Sequence, residues 1–428
     1  KLAAAVFLTF LVQVTNSLAA SANDWYVSAL TTGSVRDGKS WATAWGDFSS
    51  SNPLYAIDWS KVQKKDRILV DAGPAPPPGY VTTVAYHTPL VVQQSDITIE
   101  VPLDPAHDGG IATIYTNNNS VASIDLASFP VSKVTIKGSK WNPSGVPSLI
   151  PNFGVLGGGV GLALGPNAKN ITLRNLKFEG CQKGLDLQGG TANCYYLIID
   201  SNTNNIVSEP AASSSPNNFY KNPSVNLYYS WIFNYTASTL GVANGVVCQS
   251  NPNAAFDLKF IYSILGPGLA RSFQTNSVAD NLAAYYSLFI DSQVSNLEIN
   301  APPSHASMTY CISFQTPLNA SNQALSCLGA LTESANTSVL GTILYGGVVN
   351  VTGTKRLGPY NEQFKTSGNT AVVSAHQVNP GFASNVSVVP NNAPFSQLMD
   401  LNFKPRVNTP GSPFCIHSVA ELLSKVPH

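Results

Sequence analysis

Short apolar phrases recur through the second half of the chain, and their polar neighbours recur with them. Tyr229-Ser230-Trp231-Ile232, Tyr262-Ser263-Ile264-Leu265, Tyr286-Ser287-Leu288-Phe289, Ile312-Ser313-Phe314 and Gly341-Thr342-Ile343-Leu344 share a hydroxyl residue set among apolar ones. The hydroxyls at 230, 263, 287, 313 and 342 are spaced 33, 24, 26 and 29 residues apart. Periods of ~20 to 50 residues mark stacked repeats, each too small to bury its own apolar face and burying it against its neighbours. The phrases are β-branched and aromatic and are bounded by Asn, Ser, Gly and Pro, as short strands are. Nothing between them carries the ~10 to 15 residues of helical periodicity that a βαβ crossover needs. The strands must therefore coil back through turns alone. This predicts an all-β solenoid, a parallel β-helix whose equivalent strands pair coil to coil ~4.8 Å apart.

The same phrases predict columns. Trp231, Ile264, Leu288, Phe314 and Ile343 form the expected interior stack, which turns Ser230, Ser263, Ser287, Ser313 and Thr342 outward. Ile232, Leu265, Phe289 and Leu344 are apolar on the opposite face, so either a loop covers that face or the strand bends there.

A chain of 428 residues exceeds the usual single core, but a solenoid grows along one axis without that limit. Charged residues make up 11% of it, against a typical ~25%, so Asn, Ser, Thr and Gly must dominate the surface. Lys plus Arg and Asp plus Glu are equal at 23 each. With no basic run, nucleic acid is not an expected partner.

Several features point to export. Residues 2–14 are an apolar run led by Lys1 and followed by Ser17-Leu18-Ala19, a signal-peptide pattern with cleavage expected near residues 20–23. The run is shorter than the ~20 residues of a membrane span. Sequons at Asn118, Asn170, Asn234, Asn319, Asn336, Asn350 and Asn385 predict a glycoprotein. Six cysteines are scattered without Cys-x-x-Cys spacing. In an oxidising compartment, Cys181 with Cys194 and Cys311 with Cys327 can close short loops, the alternative being buried free thiols.

The opening of the chain carries a family resemblance. Trp25-Tyr26-Val27-Ser28, Gly33, Asp37-Gly38, Ser40-Trp41-Ala42-Thr43-Ala44-Trp45, Ala56-Ile57-Asp58 and Asp66-Arg67-Ile68-Leu69-Val70-Asp71-Ala72-Gly73 resemble the first module of secreted right-handed parallel β-helix proteins of the pectin-lyase-like superfamily. Asn379-Pro380-Gly381-Phe382, Asp400-Leu401-Asn402-Phe403 and Pro410-Gly411-Ser412-Pro413 resemble their closing phrases. The resemblance implies a right-handed parallel β-helix of about eight to eleven coils. The expected layout is a signal peptide (1–20), an opening module with a cap helix (21–80), the coils (81–378), and a closing coil with a carboxy-terminal cap (379–428). Residues 54–62 are the expected first cap and residues 418–425 the second, since an open β-helix must cover both ends.

Within that superfamily the activities diverge, and fold does not choose among them. The Asn-Thr-Asp, Asp-Asp and Gly-His-Gly segments of polygalacturonase-like hydrolases are absent. A lyase needs a Lys or Arg base and a cation for the developing enolate. Lys259 and Arg271 are the candidate catalytic pair, with Asp257, Asp291, Tyr228 and Tyr285 as candidate substrate-binding residues. The alternative for the charged group is a surface ion pair. Tyr228, Tyr229, Tyr262, Tyr285 and Tyr286 offer a sugar-stacking strip, or else partly buried packing. No metal site is assigned: the histidines are unpaired in spacing, and Asp257, Asp280 and Asp291 are too dispersed to argue strongly for calcium. The expected partner is extracellular or cell-wall polysaccharide, bound without catalysis. The alternatives are β-elimination on a uronate-containing glycan and a structural or adhesive protein with no glycan ligand.

Overall fold

The computed structural model describes residues 22–49, 55–77, 80–116, 120–139, 151–200, 202–208, 223–233, 244–248, 256–269, 271–275 and 281–290, shorter segments between 296 and 364, and residues 404 and 416–425. Three all-parallel sheets of twelve, eleven and ten strands account for nearly all of the regular secondary structure among these residues. Each complete coil gives one strand to each sheet in a fixed order. Ile171–Arg174 lies in the first sheet, Lys177–Glu179 in the second and Lys183–Leu187 in the third. Thr191–Tyr195 then returns to the first sheet one coil further on. The chain is a right-handed parallel β-helix, the hand that parallel crossovers take almost without exception.

The interior is built of apolar columns along the axis. Leu173, Cys194, Leu227 and Phe260 are register partners in the first sheet, and Leu185, Ile206, Val246 and Phe273 in the third. All eight are essentially inaccessible to solvent. In the second sheet the core column is Phe178, Ile199, Ile232, Leu265 and Phe289. The inward face of that sheet is therefore the one opposite to the expected stack. Trp231, Ile264 and Leu288 are fully buried as well, but on its outer side. There Trp231 stacks on Phe233 at 3.9 Å and donates from Nε1 to the Gly266 carbonyl.

The hydroxyl column is also corrected. Ser230, Ser263, Ser287, Ser313 and Thr342 are all 0% exposed. Register pairs Leu288 with Ile312, so the coil partner of Ser287 is Cys311, while Ser313 falls beside Phe289 in the core column. The hydroxyls are buried because they satisfy amides at a corner. Ser230 Oγ accepts from Leu197 N–H at 3.2 Å, Ser263 Oγ from Ser230 N–H at 3.2 Å, and Ser287 Oγ from Ser263 N–H at 3.1 Å. Where the chain turns sharply between two sheets these amides have no sheet partner, and a buried orphan N–H is costly.

The first end is covered without the expected helix. Residues 55–62 form turns, in which Asp58 Oδ1 accepts from both the backbone and hydroxyl of Ser60, a local bond that competes with helix formation. Ile57 and Val62 are nevertheless buried there, and Trp59 packs against the same core. Asp66 ties the module together, accepting from Asn23 N–H, Trp25 Nε1 and Gln63 N–H. The carboxy-terminal helix Val419–Ser424 does form, but Ile416 N–H just before it donates to the carbonyl of Tyr286. That carbonyl lies coils short of the last strands, so the segment docks on the flank. Ile416 and Leu422 are buried there.

Cys181, Cys194 and Cys311 are buried free thiols, which rules out the Cys181–Cys194 pairing and leaves Cys311 unpaired. Burial pushes each thiol up to about 12. At pH 8 the reactive thiolate is therefore scarce and shielded. Native protein is expected to leave these three unmodified by iodoacetamide, and denatured protein to label all three, as read by peptide mapping.

Candidate functional site

On the first sheet, alternation turns every second residue outward, and the phrases Thr98-Ile99-Glu100, Thr135-Ile136-Lys137 and Thr172-Leu173-Arg174 place a charge at the same register position in successive coils. The outward column continues as Tyr195, Tyr228, Ile261 and Tyr285. Beside its charged part lies a groove of about 480 Å³, lined by Arg67, Glu100, Lys137, Arg174 and Asn175, with Leu103 exposed on its rim.

The charges in this groove are unevenly matched. Glu100, only 7% exposed, takes Lys137 Nζ at 2.6 Å and Arg67 Nη1 at 3.3 Å. Arg67 also pairs with Asp24 at 2.6 Å, and that hydrogen bond raises the already high guanidinium pKa. Arg174 has no carboxylate partner among the described residues. Its guanidinium lies 5.4 Å from the Tyr196 ring centroid, and its strand neighbour in register is Lys137. Like charges directly opposite each other on adjacent strands repel. The groove lining thus holds three cations, Arg67, Lys137 and Arg174, against the single carboxylate of Glu100, and with Asp24 pairing Arg67 from outside the groove the cation left over is Arg174.

A second column follows the corner where the first sheet turns into the second. Asn175, Tyr196, Tyr229, Tyr262, Tyr286 and Tyr310 occupy it, and all have φ between 50° and 56°. Successive tyrosine rings stack at 5.5, 5.3, 4.8 and 5.8 Å, with interplanar angles of 5° to 17°. Tyr195 and Tyr228 stack likewise at 4.8 Å in the adjoining column. The expected sugar-stacking strip takes a different form here, because these ring faces are used against one another. What they present outward is ring edges and hydroxyls.

The left-handed corner allows a direct test. Tyr262→Ala and Tyr262→Gly both remove two ring contacts worth about 0.5–1.5 kcal/mol each. Alanine keeps the left-handed penalty of about 1–2 kcal/mol and glycine relieves it, at some cost in unfolded-chain entropy. The glycine variant is expected to be the more stable by about 1 kcal/mol in denaturant unfolding, the reverse of the usual order within strands.

The predicted site residues are divided by the structure. Asp257 and Lys259 lie on the first-sheet strand Asp257–Ile261, where they form an ion pair at 3.2 Å. Asp257 also accepts from Ser224 Oγ and Asn281 Nδ2. Arg271 opens the third-sheet strand Arg271–Thr275, separated from Lys259 along the coil by the second-sheet strand Ile264–Leu265. Tyr228 and Tyr285 stand in the outward column described above. Asp280 and Asp291 lie outside the described residues, as do Asn118, Asn234, Asn319 and Asn385. Asn336 and Asn350 lie on strands, and Asn170 is exposed. Among the described residues no cluster of three or more His, Cys, Asp or Glu side chains could hold a metal ion, and no helix is long and apolar enough to cross a membrane.

No family model and no curated protein matches this chain. Among solved structures it is similar to the crystal structure of pectate lyase Pel9A, at 12% identity and a TM-score of 0.41, over 93% of this chain and 89% of that one. A likeness of that degree says nothing about activity.

Proposed function

We propose that the protein works outside the cell as a polysaccharide-binding β-helix, holding an anionic glycan along the outward face of its first sheet. The observation that carries this is the placement of Lys137 and Arg174 side by side in register, with Arg174 lacking a carboxylate partner among the described residues. An anion laid over both relieves their repulsion, and a guanidinium suits the fork of a carboxylate or sulfate. The edges and hydroxyls of Tyr195 and Tyr228 continue the strip along the helix axis, as an extended ligand requires. The sequons and the signal-like first segment support an extracellular setting, and exposed Asn170 begins the loop-to-strand passage into the Arg174 strand.

Lyase action through Lys259 and Arg271 has weaker support, because the two stand on different sheets and Lys259 is paired with Asp257. The test is binding of purified protein to a panel of anionic and neutral polysaccharides at rising salt, with absorbance followed for unsaturated uronate. Binding confined to the anionic members, weakening with salt and yielding no unsaturated product, is the expected result. Equal binding to neutral glycans would refute the charge argument, and product formation would refute the non-catalytic one.

A further inference from the structure

We infer that the tyrosine ladder is a site of oxidative modification, at which a one-electron oxidant joins phenol rings of successive coils into dityrosine. The geometry supplies proximity. Tyr262 and Tyr286 are stacked at 4.8 Å and 13°, and Tyr195 and Tyr228 at 4.8 Å and 11°. In near-parallel stacks the ortho carbons of one ring lie close to those of the next. The β-helix holds that arrangement because Tyr195 and Tyr228 end first-sheet strands paired in register, and Tyr262 and Tyr286 each directly follow the end of such a strand. Approach is open as well: these rings are only partly buried, and Tyr196, Tyr229, Tyr262 and Tyr286 show no hydroxyl hydrogen bond to a described residue.

The backbone makes the ladder unusual. A left-handed corner accepts Asn or Gly most readily, and Asn175 occupies its first position. Five consecutive coils instead place tyrosine there, against local backbone preference. Strain held at one kind of position through five repeats marks the side chain as the feature retained. Burial raises the phenol pKa of Tyr229 and Tyr262, so the rings meet an oxidant in the protonated form.

The chemistry balances with a haem peroxidase and hydrogen peroxide as oxidant. Each of two phenols gives up one electron and one proton, and these two electrons and two protons reduce hydrogen peroxide to two waters. The phenoxyl radicals couple through their ortho carbons, forming one C–C bond. Each ring then regains aromaticity as its ortho hydrogen passes to oxygen. The product is two hydrogen atoms lighter and covalently joins adjacent coils.

The experiment treats dilute full-length protein with peroxidase and peroxide, then maps crosslinked peptides. The expected products are intramolecular Tyr262–Tyr286 and Tyr195–Tyr228 linkages in monomeric protein. Since the fold supplies the proximity, their yield should fall roughly tenfold or more when the chain is oxidised in denaturant. Tyr262→Phe keeps an aromatic ring in the stack and should abolish the Tyr262–Tyr286 product while sparing Tyr195–Tyr228. Dityrosine confined to covalent dimers through exposed Tyr55, Tyr80 or Tyr115 overturns the inference. Ladder linkages formed equally well in denaturant also overturn it.

Discussion

Phe289→Ala is expected to destabilise the protein by about 3–5 kcal/mol, the range for emptying a well-packed aromatic site. Phe289 is 0% exposed and stands in the second-sheet core column between Leu265 and Ser313. Neither neighbour can fill the gap. Leu265 is held in register by its own strand, and Ser313 Oγ is committed to Asn296 Nδ2 at 2.9 Å. A coil in a solenoid is supported mainly by its two neighbours, so the loss should loosen the coils around residues 265–313 before it reaches the opening module. Denaturant unfolding gives the magnitude, and hydrogen exchange its spread. Leu288→Ala, on the outer side of the same strand, separates the two faces. A smaller loss is expected there, because Leu288 stands outside the apolar core cluster to which Phe289 belongs.

Arg174→Ala is expected to weaken binding of an anionic polysaccharide by about 10- to 100-fold, the equivalent of losing one charge-assisted contact worth about 1.5–3 kcal/mol. Stability should change little, because among the described residues the Arg174 guanidinium makes a single ring contact, at 5.4 Å, and exposed cation–π pairs are worth about 0.5–1 kcal/mol. Arg174→Lys retains the charge but not the planar fork and should fall between the two. Lys259→Ala, on the same sheet but already paired with Asp257, is the control and should leave affinity close to that of the unaltered protein. Isothermal titration at two salt concentrations measures all three. A variant without Arg174 should also show a shallower salt dependence.

The solenoid is legible in the sequence because its repeats bury short apolar phrases that recur every 24 to 33 residues through the second half of the chain. The face of a strand is legible only when one side is polar. In the second sheet Trp231 and Ile232 are both fully buried, so alternation carries no sign and the wrong face looks like the interior. Ser313 misleads for a related reason. Aligned by its hydroxyl it appears equivalent to Ser287, whereas the tyrosines show the true register, Tyr310-Cys311-Ile312 against Tyr286-Ser287-Leu288. The groove was open to discovery too. Threonine, an apolar residue and a charge recur at 98–100, 135–137 and 172–174, a repeat of 37 residues. This period lies in the first half of the chain and uses a different phrase from the second, so a search guided by the Tyr-Ser repeats passes over it. The stacking of the tyrosines on one another cannot be read from spacing at all. It follows from the left-handed corner, which only backbone geometry reveals.

The most direct test of glycan binding along the first sheet is affinity as a function of oligosaccharide length. Six strands separate the Arg67 coil from the Tyr228 coil inclusively, and at ~4.8 Å per strand the strip spans about 24 Å. Affinity of a size-graded series of anionic oligosaccharides should rise until the ligand reaches that length and then level off, and Arg174→Ala should lower the whole curve. Affinity independent of length, or a curve that Arg174→Ala leaves unmoved, would contradict the account.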